Sequence, residues 1–400
     1  MGNALLCAGL LALAVEAPAP TVITEQEVIE QLAVGHPAVV ALVARLAEAE
    51  AERLRAGLLD NPLVYWDREA PHDATHQTTW GVSWAPPLDG RRSLRREAAR
   101  QALLATEGDV AVRRMAIREE ARFAFASWWA AHAQRNALEE TLGLVSQVEA
   151  HMRARAASGE ESGLEARRLS LAAGEVRAQL AVAAAQEAAA GAEVSAWFPG
   201  LPAGARPGRP ELPPVPADLD ASHRGDLRAA EAARARSEIE MRLSNRVFSA
   251  PEVMVGWQTQ EARGLSNSGP VFSVTLAVPV LDRRQADRAA ARALISRAEA
   301  ERAVLKARAE AEIEGARAAY VRLAREAAEQ ERDSAKLPEM TAAAALAYRL
   351  GETTLTDFLD TVRAALAARV RTIDICALAL ESHRGLERAL GRPVSPGGEK

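Results

Sequence analysis

Hydrophobic and polar positions along the chain follow two different periods. Between Ile117 and Val145 apolar residues recur every three or four positions, which is the spacing of one face of a helix. This pattern predicts a long helix from about Ser93 to Ala156. Short runs such as Trp80-Gly-Val-Ser-Trp84 instead alternate every second residue, which predicts strands, the first two of them near 62–70 and 78–87. The chain is therefore expected to consist of long helices joined to a few short strands.

The same succession of patterns occurs twice, at an offset of 189 to 193 residues. At the elbow where a predicted strand runs into a predicted helix, both copies contain proline, leucine and aspartate in that order: Pro86, Leu88 and Asp89, then Pro279, Leu281 and Asp282. Upstream, Asn61-Pro62 and Ala250-Pro251 each open a strand-like run. A duplication on this scale predicts two equivalent repeats, over residues 25–196 and 223–391.

Helical spacing also places other elements. A packing helix is predicted from Glu25 to Leu58 with an interruption at Gly35-His36-Pro37, and returning helices are predicted at 164–196 and 355–391. Pro338 is expected to kink or break the second long helix. Between the repeats, residues 197–222 are predicted to form an extended, proline-rich linker, with seven prolines from Trp197 to Pro216. Residues 392–400 are predicted to be a disordered tail.

The N-terminal residues 1–20 have the apolar centre of a signal peptide and a small-x-small sequence at Ala12-Leu13-Ala14, but lack the usual basic leader. We therefore expect a signal peptide with a truncated or misassigned start. Cys7 matches a lipoprotein cleavage site poorly. No other stretch of ~20 apolar residues was identified, so no membrane-spanning helix is expected.

In the predicted strands, large apolar residues lie on one face and small or polar residues on the other. Trp80, Val82 and Trp84 alternate with Gly81, Ser83 and Ala85, and Phe272, Val274, Leu276 and Val278 alternate with Val271, Ser273, Thr275 and Ala277. This alternation fits a strand between lipid and a watery lumen, and equally a face of a soluble β-sandwich. Four strands cannot close a barrel with a membrane-sized interior, so subunits would have to pool them.

Composition limits the possible functions. The net charge is -5, and no basic cluster follows a groove, so we expect no nucleic-acid partner. Cys376 has no second cysteine outside the signal segment, which leaves no disulfide framework. His72 and His76 are four residues apart, but with Asp73 as the only nearby acid we expect no metal site. We expect neither a catalytic constellation nor a cofactor.

Two sequences resemble capping boxes: Ser162-x-x-Glu165 and Thr354-x-x-Asp357. In such a box the hydroxyl and carboxylate side chains satisfy the backbone N–H groups at the start of a helix. The structural interpretation of both acids is therefore that they begin the returning helices.

The duplicated Pro-x-Leu-Asp elbow, the Asn61-Pro62 strand start, and Ala347-Tyr-Arg-Leu-Gly-Glu352 followed by Asp357 and Leu359-Asp360 together resemble the outer membrane factor (TolC-like) family of efflux pumps. The match covers nearly the whole chain after the signal segment. Short tip loops and the Gly-Glu turns favour the heavy-metal resistance-nodulation-division (CzcC-like) branch.

The resemblance implies a mainly α fold with a small β part. Duplicated coiled-coil helices would form a periplasmic α-barrel, and four strands per chain would contribute to a twelve-stranded barrel shared by a homotrimer. It also implies location in outer-membrane lipid with the helices in the periplasm, and no catalysis. Substrates, including heavy-metal cations, would arrive from a periplasmic adaptor protein and an inner-membrane resistance-nodulation-division pump.

The resemblance further implies a periplasmic aperture. Asp357 and Asp360 would ring its narrowest point, and Tyr348 would link neighbouring coils to Glu165. In this sequence Arg167, Arg168 and Arg363 lie close to these acids, so local ion pairs could neutralise them. The alternative function is a soluble or periplasmic coiled-coil scaffold or adaptor, which leaves the tryptophan-rich strands and the signal segment unexplained.

Overall fold

The computed structural model describes residues 21–71, 76–158, 163–216, 218–262 and 265–394. The chain is mainly helical with a small β part, as predicted. The first repeat and its surroundings contain β1 (Val22–Ile23), α1 (Glu25–Gly35), α2 (Pro37–Arg55), β2 (Leu63–Glu69), β3 (His76–Trp84), α3 (Arg91–Ala157), α4 (Gly163–Trp197) and β4 (Arg206–Pro207).

The second repeat has the same order of elements. A short 3-10 helix (Ala221–His223) precedes α5 (Gly225–Ser244), β5 (Glu252–Ala262), β6 (Leu265–Thr275), α6 (Gln285–Ser334), α7 (Leu337–Leu350) and α8 (Leu355–Leu390). Pro338 lies in the first turn of α7, where its missing N–H has no cost. The long helix is therefore broken at the proline, as predicted.

Two predicted boundaries differ from those of the structure. The second strand was predicted at 78–87 and lies at His76–Trp84, because the hairpin pairing extends to Gln77 opposite Glu69. It ends before Pro86, since proline has no N–H to donate to a sheet. The first helical stretch was predicted to reach Leu58 and ends at Arg55, with the expected break at His36.

A single sheet contains the four longer strands. Its order is β2-β3-β5-β6, with every neighbouring pair antiparallel, so β2 and β6 are its edges. The pairing of β3 with β5 joins the two repeats, with Val82 opposite Val255. A second, two-stranded sheet pairs β1 with β4 in parallel.

The proline-rich linker was predicted to be extended, and part of it is a packed element. Arg206 and Pro207 pair with Val22 and Ile23, and Pro207, Pro210 and Pro213 are buried. Proline has little conformational entropy to lose, so an extended proline-rich segment can pack at low cost.

The chain divides into two compact units, and each unit draws segments from both repeats. The first unit joins Ala121–Glu211 and Asp333–Ala377 to the described residues up to Gln31. Its core includes Val145, Leu169 and Phe358, and a second cluster forms around Phe125 and Trp128. Trp128 and Val145 belong to the helical stripe that the spacing predicts, whereas Phe125, Leu169 and Phe358 were not placed on a predicted stripe.

The second unit comprises Leu32–Glu120, Leu212–Arg332 and the described residues from Leu378, and it contains the four-stranded sheet. Its core includes Ile313, Tyr320 and Leu386. The Tyr320 hydroxyl donates to the carbonyl of Pro213. Burial, and then the charge of Glu387, raise the pKa of Tyr320 to about 12, so this donor stays protonated.

By length and composition, the stretch Glu25–Arg55 is apolar enough to cross a membrane, which the sequence reasoning did not expect. It consists of two helices, α1 and α2, separated at His36. Segments near an N-terminus and helices of soluble cores can have the same composition, so the observation is weak evidence for a membrane span.

Candidate functional site

One face of the four-stranded sheet is apolar and exposed. Residues directly opposite each other in a sheet point to the same side, and the observed register places the large apolar residues of all four strands together. They are Val64, Trp66, Trp80, Val82, Trp84, Val253, Val255, Trp257, Phe272 and Val274, and each is between 38% and 81% exposed. The chain therefore presents a continuous apolar surface on this face, which matches the predicted alternation.

A row of tryptophans marks one boundary of that surface. Trp66, Trp80 and Trp257 lie directly opposite one another on three neighbouring strands. The next row on the same face is polar, with Arg68, Thr78, Thr259 and Ser268 in register. A belt of aromatic residues between apolar and polar surface is typical of a protein at a membrane interface.

The opposite face of the sheet is mostly polar, although Leu63, Met254 and Val271 also lie on it. Its rows contain Ser83, Ser273, Asp67, Thr79, Gln258, Glu69, Gln77, Gln260 and Asn267. Gln260 donates to Gln77 across the strands at 3.3 Å. A polar face of this kind is suited to contact with water, whereas the apolar face is suited to contact with an apolar surrounding such as lipid.

Tyr65 is an exception on the polar face that sequence reasoning missed. It lies in register with Gly81 and Gly256, and a Cβ at either glycine would lie 2.5 or 2.6 Å from the Tyr65 hydroxyl oxygen. The tyrosine side chain therefore lies flat over two strands that have no side chains at this row. The glycines were visible in the sequence, but their alignment depends on long-range pairing.

The acids of the predicted aperture, Asp357 and Asp360, lie at the start of α8, just after the turn that follows α7. Gly351 ends α7 in the left-handed conformation, with φ of 78°, which glycine adopts without strain. Thr354 Oγ1 donates to Asp357 Oδ2 at 2.7 Å, and Asp357 N donates back to Thr354 Oγ1 at 3.2 Å. The predicted capping box is thus present at Asp357. The other predicted box involves Ser162, which lies outside the described residues.

Tyr348 and Glu165 are in contact. The Tyr348 hydroxyl donates to Glu165 Oε2 at 2.9 Å, which connects α7 to α4. The ring of Tyr348 stacks on Phe358, with centroids 5.5 Å apart and planes within 6°, and it is buried. Packing therefore holds the hydroxyl in position for the bond.

Asp360 is exposed and only weakly paired. Its carboxylate lies 3.9 Å from Arg363, and their side chains are 68% and 60% exposed. Arg363 also contacts Glu175 at 3.4 Å. Exposed pairs of this kind contribute little, so Arg363 leaves most of the Asp360 charge available to solvent.

A groove of about 830 Å³ lies in the first unit between α3, α4 and α8. Its floor is apolar and includes Leu138, Val176, Val182, Leu366 and Val370. Polar contacts lie along it: Arg363 with Glu175, and Gln134 with Asp374 at 2.9 Å. An apolar groove with a charged rim can receive an amphipathic helix.

The described residues contain no group of three or more His, Cys, Asp or Glu side chains that could hold a metal ion. His72 and Asp73, whose spacing with His76 was considered for metal binding, lie outside them. No metal centre is therefore assigned to this part of the chain.

Comparison with solved structures identifies the fold. The chain matches the Campylobacter jejuni CmeC outer membrane channel with a TM-score of 0.74 at 13% identity, over 100% of this chain and 96% of that chain. It matches the open state of the Neisseria gonorrhoeae MtrE outer membrane channel with a TM-score of 0.69 at 18% identity, over 94% and 91%. The chain has the fold of outer-membrane channels.

A structure of CusC, described in terms of folding and transmembrane channel formation, matches with a TM-score of 0.73 at 17% identity, over 95% of this chain and 96% of that chain. No protein-family model matches the sequence, and no curated protein matches it significantly. At these identities the similarity establishes the fold, and it extends over nearly the full length of this chain.

Proposed function

We propose that this chain is the outer-membrane exit duct of a tripartite efflux system. Three copies would pool their four-stranded sheets into one twelve-stranded barrel, and the helices would continue it as a periplasmic α-barrel. Residues 1–20 would be removed on export, and the repeats 25–196 and 223–391 would each supply two strands, a long helix and a returning helix. The duct would conduct passively and catalyse nothing.

This proposal rests on one observation: the large aromatic and β-branched residues of the four strands lie on one face of the sheet, and most of the polar residues lie on the other. A lone four-stranded sheet with one apolar face exposed is unfavourable in water, because the large apolar side chains on that face stay in contact with water and gain no stabilisation from burial. In a barrel the apolar face would contact lipid and the polar face would line the lumen. The alternative of a soluble scaffold leaves the apolar face without a solvent that suits it.

The partners follow from the same proposal. A periplasmic adaptor protein would dock on the helices, and the groove between α3, α4 and α8 offers an apolar floor with a charged rim for it. An inner-membrane resistance-nodulation-division pump would supply the energy. The short connections between the paired strands support the heavy-metal branch, and hence heavy-metal cations as substrates.

Asp357, Asp360, Tyr348 and Glu165 would form the periplasmic aperture. Three copies would bring several carboxylates towards one axis, where they would attract cations. The hydrogen bond from Tyr348 to Glu165 would hold the helices closed around it.

Ion conductance through a planar lipid bilayer tests the duct. The purified protein should produce stepwise conductance, whereas Val255→Arg, which places a charge in the apolar face, should fail to insert and produce none. If labelled protein is shown to have inserted and still gives no conductance steps, the chain is not a duct.

A further inference from the structure

Four connections join the sheet to long helices, and all of them lie at the same end of the sheet. Two lead from helix ends into strands, α2 to β2 and α5 to β5, and two lead from strands into helix starts, β3 to α3 and β6 to α6. In the sheet, Leu63 lies opposite Ser83 and Glu252 lies opposite Thr275, so these strand ends meet. All of these segments belong to the second unit.

This end of the sheet is rich in arginine. The four connections, the last turns of α2 and α5 and the first ten residues of α3 and α6 (residues 52–62, 85–100, 241–251 and 276–294) contain thirteen arginines, no lysine and six acidic residues. Their net charge is therefore +7, although the whole chain has a net charge of -5. At the other end of the sheet, the described residues include Asp67, Glu69 and Glu261 but only one arginine, Arg68. We call the thirteen arginines the arginine collar.

Most of the collar is not neutralised within the chain. Only three of its arginines form an ion pair with another described residue: Arg55 with Glu52, Arg91 with Asp89, and Arg242 with Glu97. Arg95, Arg96, Arg100, Arg246 and Arg292 are exposed. The collar therefore presents positive charge that the described part of the chain does not balance.

Several guanidinium groups of the collar converge where β3 leads into α3. Arg91 donates to the carbonyl of Arg246, and the Arg246 side chain comes within 3.8 Å of the position that a Cβ on the glycine before Arg91 would occupy. Burial, and then the charge of Arg284, lower the pKa of Arg91, Asp89 raises it, and Arg95 lowers it again. Four like charges are therefore close together, and an anion beside them would relieve their repulsion.

Other arginines of the collar are held at the end of α2. Arg92 donates to the carbonyl of Gly57 through Nε at 2.9 Å and Nη2 at 2.6 Å. The Arg96 side chain reaches the same place, since its Nε lies 3.7 Å from the position of a Cβ at Gly57. A carbonyl at a helix end carries only a partial negative charge, so it orients Arg92 without cancelling its charge.

The apolar face of the sheet continues up to the collar. Leu276, Val278 and Val280 extend the alternation of β6 past its last residue, and each of them is exposed. In two other connections, Leu88 and Phe248 are 77% and 60% exposed. Exposed apolar residues that adjoin arginines are typical of a surface at the boundary between the acyl chains and the headgroups of lipids.

The height of the apolar face supports the same boundary. The row that contains Trp80 and the row that contains Trp84 are four residues apart along β3, which corresponds to about 14 Å at about 3.4 Å per residue. The apolar band of a membrane barrel is about 25 Å tall. The apolar residues of the connections would therefore complete the band, which places the collar at the level of the headgroups.

We propose that the arginine collar binds the phosphate groups of anionic phospholipids in the leaflet next to it. Guanidinium groups bind phosphate through paired hydrogen bonds, and clustered basic residues attract anionic lipids at a membrane surface. An acidic protein surface would match the charge of the collar, but it would leave the apolar residues of the connections in contact with polar groups. The inference rests on the proposed function, because it requires the apolar face to lie in lipid.

Thermal stability in the presence of lipid tests this site. The full chain is purified in an uncharged detergent, and its unfolding temperature is measured with added phosphatidylglycerol, which is anionic, or phosphatidylcholine, which has no net charge. Phosphatidylglycerol should raise the unfolding temperature by several degrees more than phosphatidylcholine does, and salt should reduce this difference, because salt screens exposed charges. Equal shifts in protein that inserts into vesicles would overturn the proposal and leave the proposed function standing.

A charge variant and a matched control locate the effect. Arg95→Gln combined with Arg284→Gln removes two charges beside Arg91 and should abolish most of the shift that is specific to phosphatidylglycerol. The control is Arg308→Gln combined with Arg322→Gln, which removes two exposed arginines of α6 at least about 36 Å further along that helix at 1.5 Å per residue. The control should keep the shift. A similar loss in both variants would show that net charge, and not the collar, attracts the lipid.

Two further measurements separate the remaining alternatives. Inorganic phosphate should not reproduce the shift that phosphatidylglycerol causes, and if it does, the collar is a site for free phosphate and the lipid assignment is wrong. Insertion is measured with vesicles of phosphatidylcholine alone and with vesicles that also contain phosphatidylglycerol. If the protein inserts into neither, the proposed function fails together with this inference.

Fluorescence quenching locates the collar without changing any arginine. In a Cys7→Ser and Cys376→Ser background, Ala286→Cys at the exposed start of α6 is labelled with a fluorophore, and the protein is reconstituted in vesicles that contain phosphatidylcholine with a nitroxide on its headgroup. This label should be quenched strongly, whereas a label at Ala328→Cys, an exposed position near the other end of α6, should not. Weak or equal quenching at the two positions would place the collar away from the headgroups and overturn the proposal.

Discussion

The Tyr348 hydroxyl donates a 2.9 Å hydrogen bond to Glu165 Oε2, and this bond connects α7 to α4 close to the start of α8, where Asp357 and Asp360 lie. Because Tyr348 is buried and stacked on Phe358, the bond has a fixed geometry. Hydrogen bonds to charged groups contribute about 1.5 to 3 kcal/mol, and partial exposure to solvent lowers that figure here.

Removing the Tyr348 hydroxyl should widen the proposed aperture. Tyr348→Phe keeps the stacking on Phe358, so it should destabilise the chain by only about 1 kcal/mol while raising single-channel conductance in a planar bilayer. The control is Glu175→Gln, which removes an exposed contact with Arg363. Conductance that stays unchanged in Tyr348→Phe would show that this bond does not restrict the duct.

Asp357 and Asp360 give a prediction about the ion selectivity of the proposed duct. Replacing Asp357 and Asp360 by Asn removes two charges per chain, and six from the small ring that the proposed trimer would form. Asparagine is a good helix cap, so the fold should survive. The double variant should lose cation preference and sensitivity to block by multivalent cations.

The two single variants separate the roles of these acids. Asp360→Asn should account for most of the electrical change, because Asp360 is exposed and only weakly paired, whereas Asp357 is engaged with Thr354. Unchanged selectivity and block in a correctly assembled double variant would leave both acids as local structural residues.

Local patterns in the sequence predicted much of this fold. The alternation in strands such as Trp80–Trp84 fixes which residues share a face, because side-chain direction has a period of two. The helix breaks at Pro37 and Pro338 and the capping box at Asp357 also depend only on nearby residues.

Contacts between distant segments could not be predicted from those patterns. The register of β3 against β5, which aligns Gly81 with Gly256 beneath Tyr65, joins residues far apart in the chain. Likewise, local patterns did not predict that Pro207 pairs with Ile23 in the two-stranded sheet. The contact between Tyr348 and Glu165 was anticipated through the family resemblance, since no periodicity relates residues in different helices.

The two sheet faces should respond differently to charge. Val274→Arg should impair insertion into lipid vesicles by about 2 to 4 kcal/mol if Val274 lies near the bilayer midplane. Ser273→Arg, one residue away on the polar face, should insert nearly as well as the unmodified protein. The measurement is the folded, membrane-inserted fraction against urea concentration. A similar loss in both variants would contradict the assignment of faces.

The glycines beneath Tyr65 should be intolerant of side chains. A Cβ at Gly256 would lie 2.6 Å from both the Trp80 carbonyl oxygen and the Tyr65 hydroxyl, so Gly256→Ala should destabilise the sheet by about 1 to 3 kcal/mol. Gly269→Ala, at an open position of the same sheet, is the control. Equal unfolding temperatures of the two variants would contradict the observed packing.

The central claim is that chains pool their sheets in the outer membrane, and the mass of the protein extracted from that membrane tests it most directly. Cells expressing the full chain are fractionated by density, the outer-membrane fraction is solubilised in mild detergent, and the mass of the protein component is measured by light scattering. The account predicts a complex of three chains in that fraction. Recovery of the protein as a soluble single chain, with none in the outer membrane, would contradict it.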